Sequence, residues 1–80
     1  MKRLSSEEHT GALKELGTAI RVARKERAIS QEALADLAGL DRSHMGKIER
    51  GERNVSIVNV IRISAALGMS PSELLQRAHL

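Results

Sequence analysis

The side chains of this chain that could carry chemistry form a short inventory, and most of it excludes a reaction. His9, His44 and His79 are far apart with no ligand spacing between them, so no metal site is expected. There is no cysteine, hence no thiolate site and no disulfide framework. Ser5, Ser30 and Ser43 have no His and Asp at spacings that suggest a nucleophilic triad, and Ser30 reads better as a helix cap. Gly39, Gly46, Gly51 and Gly68 do not form a phosphate loop, since no strand precedes them and no Gly-Lys-Ser/Thr follows. No enzyme and no cofactor is therefore expected. What remains is the stretch QEALADLAGLDRSHMGKIER, residues 31–50. Its Arg and Lys side chains can pair with guanine O6 and N7 or with a phosphate, and Ser43 can donate or accept.

Five helices and no strand are needed to position that stretch. Leu13, Leu16, Gly17, Ile20 and Ala23 make a 3.6-residue stripe, with Lys14, Arg21, Lys25 and Arg27 mostly off it. This predicts a first helix over about 10–27, starting at Thr10 or earlier at Ser5, where Ser5 and Glu8 have capping-box spacing. Residues 1–9 read as a partly ordered extension, and residues 10–80 as one domain. Ser30 caps a second helix over 31–38, with Leu34, Leu37 and Ala38 expected inside and Gly39 at the left-handed C-terminal position. Asp41 is the expected cap of a third helix over 42–50, with Met45 and Ile48 inward, Glu49 beside them and Gly51 closing it. Ser56 caps a fourth over 57–67, closed by Gly68. Ser70-Pro71-Ser72-Glu73 starts a fifth over 71–78, with a Ser cap, Pro at the first helical position and Glu at the third.

Composition narrows the partner. Eighty residues make one domain with one small core. Thirteen Lys and Arg against ten Asp and Glu leave +3, which is compatible with a polyanion. The absence of Phe, Tyr and Trp argues against single-strand binders that stack bases on rings. No run is long and apolar enough for a membrane span, and no apolar segment follows the basic N-terminus. A cytoplasmic protein is expected, without contact with a membrane. The five helices leave no room for a small-molecule effector domain.

Two short helices joined at Gly39, with the small Ala35 where they must cross closely, meet the physical specification of a helix-turn-helix. That motif places its second helix in the DNA major groove. The segments SQEALADLAGL, DRSHMGKIERGERN and SIVNVIRISAALGMSPSELL, in this order from about Leu13 to Leu75, closely resemble the Cro/repressor-like family, or XRE-type regulators. The segment DRSHMGKIERGERNVSI also looks like the small controller proteins of restriction-modification systems. The resemblance implies an all-α, compact five-helix lambda-repressor-like DNA-binding domain and a transcriptional regulator. By position it implies base contacts from Arg42, Ser43 and Lys47. It implies phosphate contact from Gln31, which also braces the recognition helix, and backbone contact near His44. Arg24 and Glu49 match a family ion pair joining the first helix to the third. Arg53 is a further basic group expected at phosphate. The chain departs from the pattern at Gly46, where a polar side chain is usual, and at Val55, where a proline is usual.

The fourth helix carries two apolar stripes. Val60, Ile63 and Leu67 form one; Val58, Ile61 and Ala65 form the other. One core face needs only the first. The second, with Met69, Leu75 or Leu80 contributing, suggests a homodimer, because one such module buries too little surface for tight specific binding. The expected partner is double-stranded DNA carrying a pseudo-palindromic operator. The competing readings are an antitoxin that binds both DNA and a toxin protein, and a protein-interaction module. RNA polymerase is a further candidate partner if the protein activates.

Overall fold

The computed structural model describes residues 3–80. Among them are α1 (Ser6–Glu26), α2 (Gln31–Ala38), α3 (Arg42–Glu49), α4 (Ile57–Ala66) and α5 (Pro71–Arg77), with no strand. Four of the five helices start at a serine whose hydroxyl accepts from the third helical N–H: Ser5 from Glu8, Ser30 from Ala33, Ser56 from Asn59 and Ser70 from Glu73. At Ser5 the box is complete, because the Glu8 carboxylate also accepts from the Ser5 N–H. The first helix therefore uses its earlier start, and residues 6–9 belong to α1 rather than to an extension. Met1 and Lys2 of that expected extension lie outside the described residues.

Asp41 differs from the four serines. It stands at the N-cap of α3 in extended conformation, but its side chain makes no capping bond. Asp41 thus holds the N-cap position the sequence predicts, and what is corrected is its side-chain bond, which α3 lacks. Gly39 closes α2 in the left-handed region at φ 72°. There the Leu40 N–H reaches back to Ala35 O at 2.8 Å and the Gly39 N–H to Asp36 O at 3.2 Å. These bonds satisfy the last carbonyls of α2 and turn the chain sharply into α3.

The core is aliphatic apart from the thioethers of Met45 and Met69 and the buried hydroxyl of Ser64. Ile20, Ala23, Leu34, Ala35, Met45, Ile48, Ile63 and Leu74 are essentially sealed from solvent, joined by Leu16, Ala19, Ala38, Val60, Leu67, Met69 and Ala78. The helices pack as α1 on α3 and α5, α2 on α3 and α4, and α4 on α5. Leu37 is not part of this core: it is 65% exposed, and Ala35 takes the inward place beside Leu34 and Ala38. That corrects the predicted inner face of α2. On an eight-residue helix two turns are too few for the stripe to separate Leu37, on the flank, from Ala35.

The crossing of α1 over α3 depends on a glycine. A Cβ on Gly17 would stand 2.5 Å from the carbonyl oxygens of both Ile48 and Glu49. No side chain fits there, so α1 lies directly on the C-terminal backbone of α3. Gly51, at φ 74°, repeats the close approach one turn further along, with its Cβ position 2.8 Å from Lys14 Cα. The sequence pattern placed Gly17 in the apolar stripe without revealing this contact.

Candidate nucleic-acid interface

The Gly39 turn fixes α3 across α2, and three side chains lock its far end. Arg24 on α1 donates Nε to Glu49 Oε2 at 2.8 Å and Nη2 to Oε1 at 3.0 Å, a two-bond fork. Its Nη1 donates to the Ile29 carbonyl at 3.1 Å. Gln31, at the start of α2, donates Nε2 to Glu49 Oε1 at 3.2 Å. The Glu49 side chain is 3% exposed. The buried Glu49 carboxylate thus ties α3 to α1 and α2, and Arg24 adds the loop after α1. The structure brings Arg24, Glu49 and Gln31 into a single cluster, with Gln31 in a bracing position.

The remaining faces of α3 divide cleanly. Met45, Ile48 and Glu49 point inward and are buried. Arg42 and Ser43 are exposed, while Lys47 and His44 are half-buried. At about 100° per residue, Ser43 and Lys47 lie about 40° apart on the outward side of α3, and Arg42 stands at its first position about 100° from Ser43. None of them makes a side-chain hydrogen bond or ion pair with another described residue, so their donors are available to a partner. Arg53 is exposed in the loop between α3 and α4. His9 lies on α1 and His79 beyond α5, both apart from His44, and no group of three metal-binding side chains is found among the described residues.

Gly46 is buried although its neighbours on the outward side are not. Its Cβ position would lie 3.2 Å from Arg50 Nη1 and 3.3 Å from Gln31 Oε1. Position 46 is thus roofed by the ends of Gln31 and Arg50. Sequence reasoning left Arg50 out of the site. It is the last residue before the Gly51 turn, and helix periodicity alone does not show its guanidinium folding back over Gly46.

On α4 the two apolar stripes separate. Val60, Ile63 and Leu67 are buried, whereas Val58 is 51% and Ile61 48% exposed, and Ala65 is exposed too. The second stripe is therefore not covered by α1 or α5. Leu75 is half-buried and packs against the core, and Met69 is buried, so neither presents as open a surface as Val58 and Ile61. Leu80 is exposed.

A turn of this geometry, a locked second helix and an outward cationic side define a helix-turn-helix domain, and the helix-turn-helix family HTH_3 matches residues 20–74. The chain belongs to that family of transcription regulators. It is 48% identical over 59 residues to control protein C.MunI from Mycoplasma sp, covering 72% of this chain and 80% of that protein. It is 37% identical over 59 residues to the immunity repressor protein of Bacillus phage phi105, covering 74% of this chain and 41% of the repressor. Among solved structures it is similar to the restriction-modification controller protein C.AhdI from Aeromonas hydrophila. That pair has a TM-score of 0.76 and 48% identity, with 78% of this chain and 94% of C.AhdI covered.

Proposed function

We propose that the protein is a sequence-specific double-stranded DNA-binding regulator that acts as a homodimer on a pseudo-palindromic operator, with α3 in the major groove. The observation that carries this reading is the outward side of α3. Ser43 and Lys47 stand there with free donors, beside Arg42 at the first position of α3, and Glu49 fixes the C-terminal end of that helix. Arg42 and Lys47 can each reach guanine O6 and N7, and Ser43 specifies little because it can donate or accept. Gln31 and Arg53 flank α3, His44 lies in its first turn, and these three meet phosphates, which sets register without reading sequence. The Arg24–Glu49 pair is structural: it orients α3 and needs no DNA.

Two such domains joined by the uncovered α4 stripe, centred on Val58, Ile61 and Ala65 with Leu75 at its margin, would present their α3 helices to successive major grooves about 34 Å apart. The similarity to controller proteins supports a specific setting. In it the protein regulates expression of a restriction-modification operon, its own gene included. That reading is favoured over an antitoxin, for which no observation in the molecule speaks. No helix among the described residues is long and apolar enough to cross a membrane, which agrees with a cytoplasmic regulator.

The test is selection of DNA fragments bound by purified protein, repeated with Arg42→Ala. The wild type is expected to enrich an inverted repeat with half-sites about ten base pairs apart. Its log affinity should fall against log salt with a slope on the order of −5 to −9. Arg42→Ala should lose about 1–3 kcal/mol and relax preference at one base per half-site. A uniform loss on every sequence would reassign Arg42 to phosphate, and no enrichment at all would sink the operator reading.

A further inference from the structure

The start of α1, from Ser6 to Gly11, is exposed at every position, and the first fully buried side chain of the helix is Leu16. At 1.5 Å per residue this is an overhang of about 9 Å that covers nothing of its own domain. It lies outside residues 20–74, the helix-turn-helix region. Yet it is firmly built: the Ser5–Glu8 box caps it, and the Thr10 hydroxyl donates to the Ser6 carbonyl at 3.0 Å. Between the overhang and the loop before α4 lies an open hollow of about 440 Å³, walled by His9, Ala12, Leu13 and Asn54. Three residues beyond Asn54 stands Ile57, 64% exposed, which belongs to neither stripe of α4. Three residues span at most about 10 Å, so an apolar knob and an open hollow sit side by side. Charge is complementary too. The first turn of α1 is acidic, with Glu7 and Glu8, while α4 carries a single charge, the exposed Arg62. Neither Glu7 nor Arg62 makes a side-chain hydrogen bond or ion pair with another described residue.

We propose that the overhang of α1 is a clasp for a second copy of this chain: the hollow beside it takes Ile57 of that copy, and Glu7 meets its Arg62. The proposal rests on the homodimer reading above and deepens it. A stable interface buries about 800 Å² on each partner. Val58, Ile61 and Ala65, two of them only half exposed, supply a small part of that area, so further surface has to join them. The overhang and Ile57 adjoin the stripe through the loop that ends at Ser56. In a two-fold pair the same patch faces itself, and each contact occurs twice. A knob beside a hollow satisfies that symmetry close to the axis, since each Ile57 enters the hollow of the other copy. The clasp also gives the two domains a fixed angle, because α1 is locked to α3 through Gly17 and Arg24.

The experiment is sedimentation equilibrium of the full chain without DNA, at low salt and over a range of concentrations. Ile57→Ala removes the knob from an exposed position, so circular dichroism should show a folded helical protein. Its dimer dissociation constant should rise roughly tenfold or more, because the lost burial counts twice. Glu7→Arg and Arg62→Glu each place like charges together and should weaken the dimer by roughly fivefold. The variant carrying both reversals should return to within about twofold of the wild type, and raised salt should shrink all three differences. A role of Glu7 confined to its own helix would not be rescued by a change on α4. The proposal is overturned if Ile57→Ala dimerises as tightly as the wild type, whatever its affinity for DNA. It is equally overturned if the two charge reversals do not compensate each other. Wild-type protein that stays monomeric at every concentration overturns both this proposal and the homodimer reading. A wild-type dimer that Ile61→Asp dissociates, but that Ile57→Ala and the charge reversals leave intact, overturns the clasp alone.

Discussion

The end of α3 and the outer side of α4 are built on opposite plans. At the end of α3 every group is held from several directions. Gly17 admits the α1 backbone to the carbonyls of Ile48 and Glu49, and the Glu49 carboxylate is bonded from α1 and α2 together. On α4 the residues Val58, Ile61 and Ala65 contact solvent on a surface that the fold leaves uncovered. The first region sets a geometry; the second offers apolar area. If α3 reads bases as proposed, its side chains must be held in one register, and the rigidity behind it supplies that. A surface that joins two copies needs area and shape, so its apolar groups stay outside until a partner arrives. Damage to the first region should therefore appear as lost stability, and damage to the second as lost assembly.

Breaking the carboxylate hub should have the largest effect. Glu49→Ala leaves the Arg24 guanidinium without its counter-charge in a mostly buried place and frees Gln31, at a cost of about 3–5 kcal/mol. Denaturant unfolding should show the loss directly, and DNA affinity should fall as a consequence of it. Thermal stability unchanged beside collapsed binding would move Glu49 from the frame to the binding surface. Gly17→Ala is next. The added methyl meets backbone, which cannot swing away as a side-chain end can, and separating α1 from α3 should cost about 2–3 kcal/mol. The better helix propensity of alanine recovers only about 1 kcal/mol of the strain. A melting temperature equal to or above the wild type would show that α1 can shift along α3 freely.

Ile61→Asp probes the other region and should separate assembly from folding. The side chain is half exposed in the monomer, so unfolding free energy should change by no more than about 0.5 kcal/mol. Removing its apolar surface from an interface, and placing a charge there, should cost about 1.5–3 kcal/mol or more in dimerisation. Sedimentation at several concentrations would then report a folded monomer, and operator binding would weaken with the loss of the second half-site. An unchanged dimer would remove Ile61 from the interface and leave the α4 stripe without an assigned partner.

The contrast also explains what the sequence could show. Elements set by local chemistry were legible: the Ser30, Ser56 and Ser70 caps, Pro71 at the first position of α5, and the left-handed ends at Gly39, Gly51 and Gly68. The double stripe of α4 was legible too, because ten residues give enough turns for two faces to separate. What escaped was set by contacts between helices. Asp41 has the right residue type for a cap, yet its carboxylate makes no capping bond in place. Leu37 counts as a core residue by type and stands in solvent. Gly17 and Gly46 have no side chain for a pattern to register, and their importance lies in what approaches them. For the outward side of α3 the residue types were visible. The roofing of Gly46 by Arg50 depends on a side-chain path that no spacing rule encodes.

The smallest expected effect lies between the two regions, where α5 is tied to the end of α1. Arg77 Nη1 donates to Glu26 Oε1 at 2.8 Å, and Arg27 stands 3.5 Å from the same oxygen. The hydrogen bond and charge of Arg77, helped by Arg27, lower the Glu26 pKa below its ordinary value of 4.5. A carboxylate with a depressed folded-state pKa adds stability above its unfolded value and loses it as pH falls through the folded one. The pair is exposed, so its contribution is modest and screened by salt. Melting curves of wild type and Glu26→Gln should therefore differ slightly near neutral pH, converge as pH drops below 4.5, and converge again at high salt. A gap that persists in acid would mean that the glutamine disturbs packing rather than charge, and that α5 is held to α1 by its apolar contacts, Leu74 and Ala78 among them, with no electrostatic share.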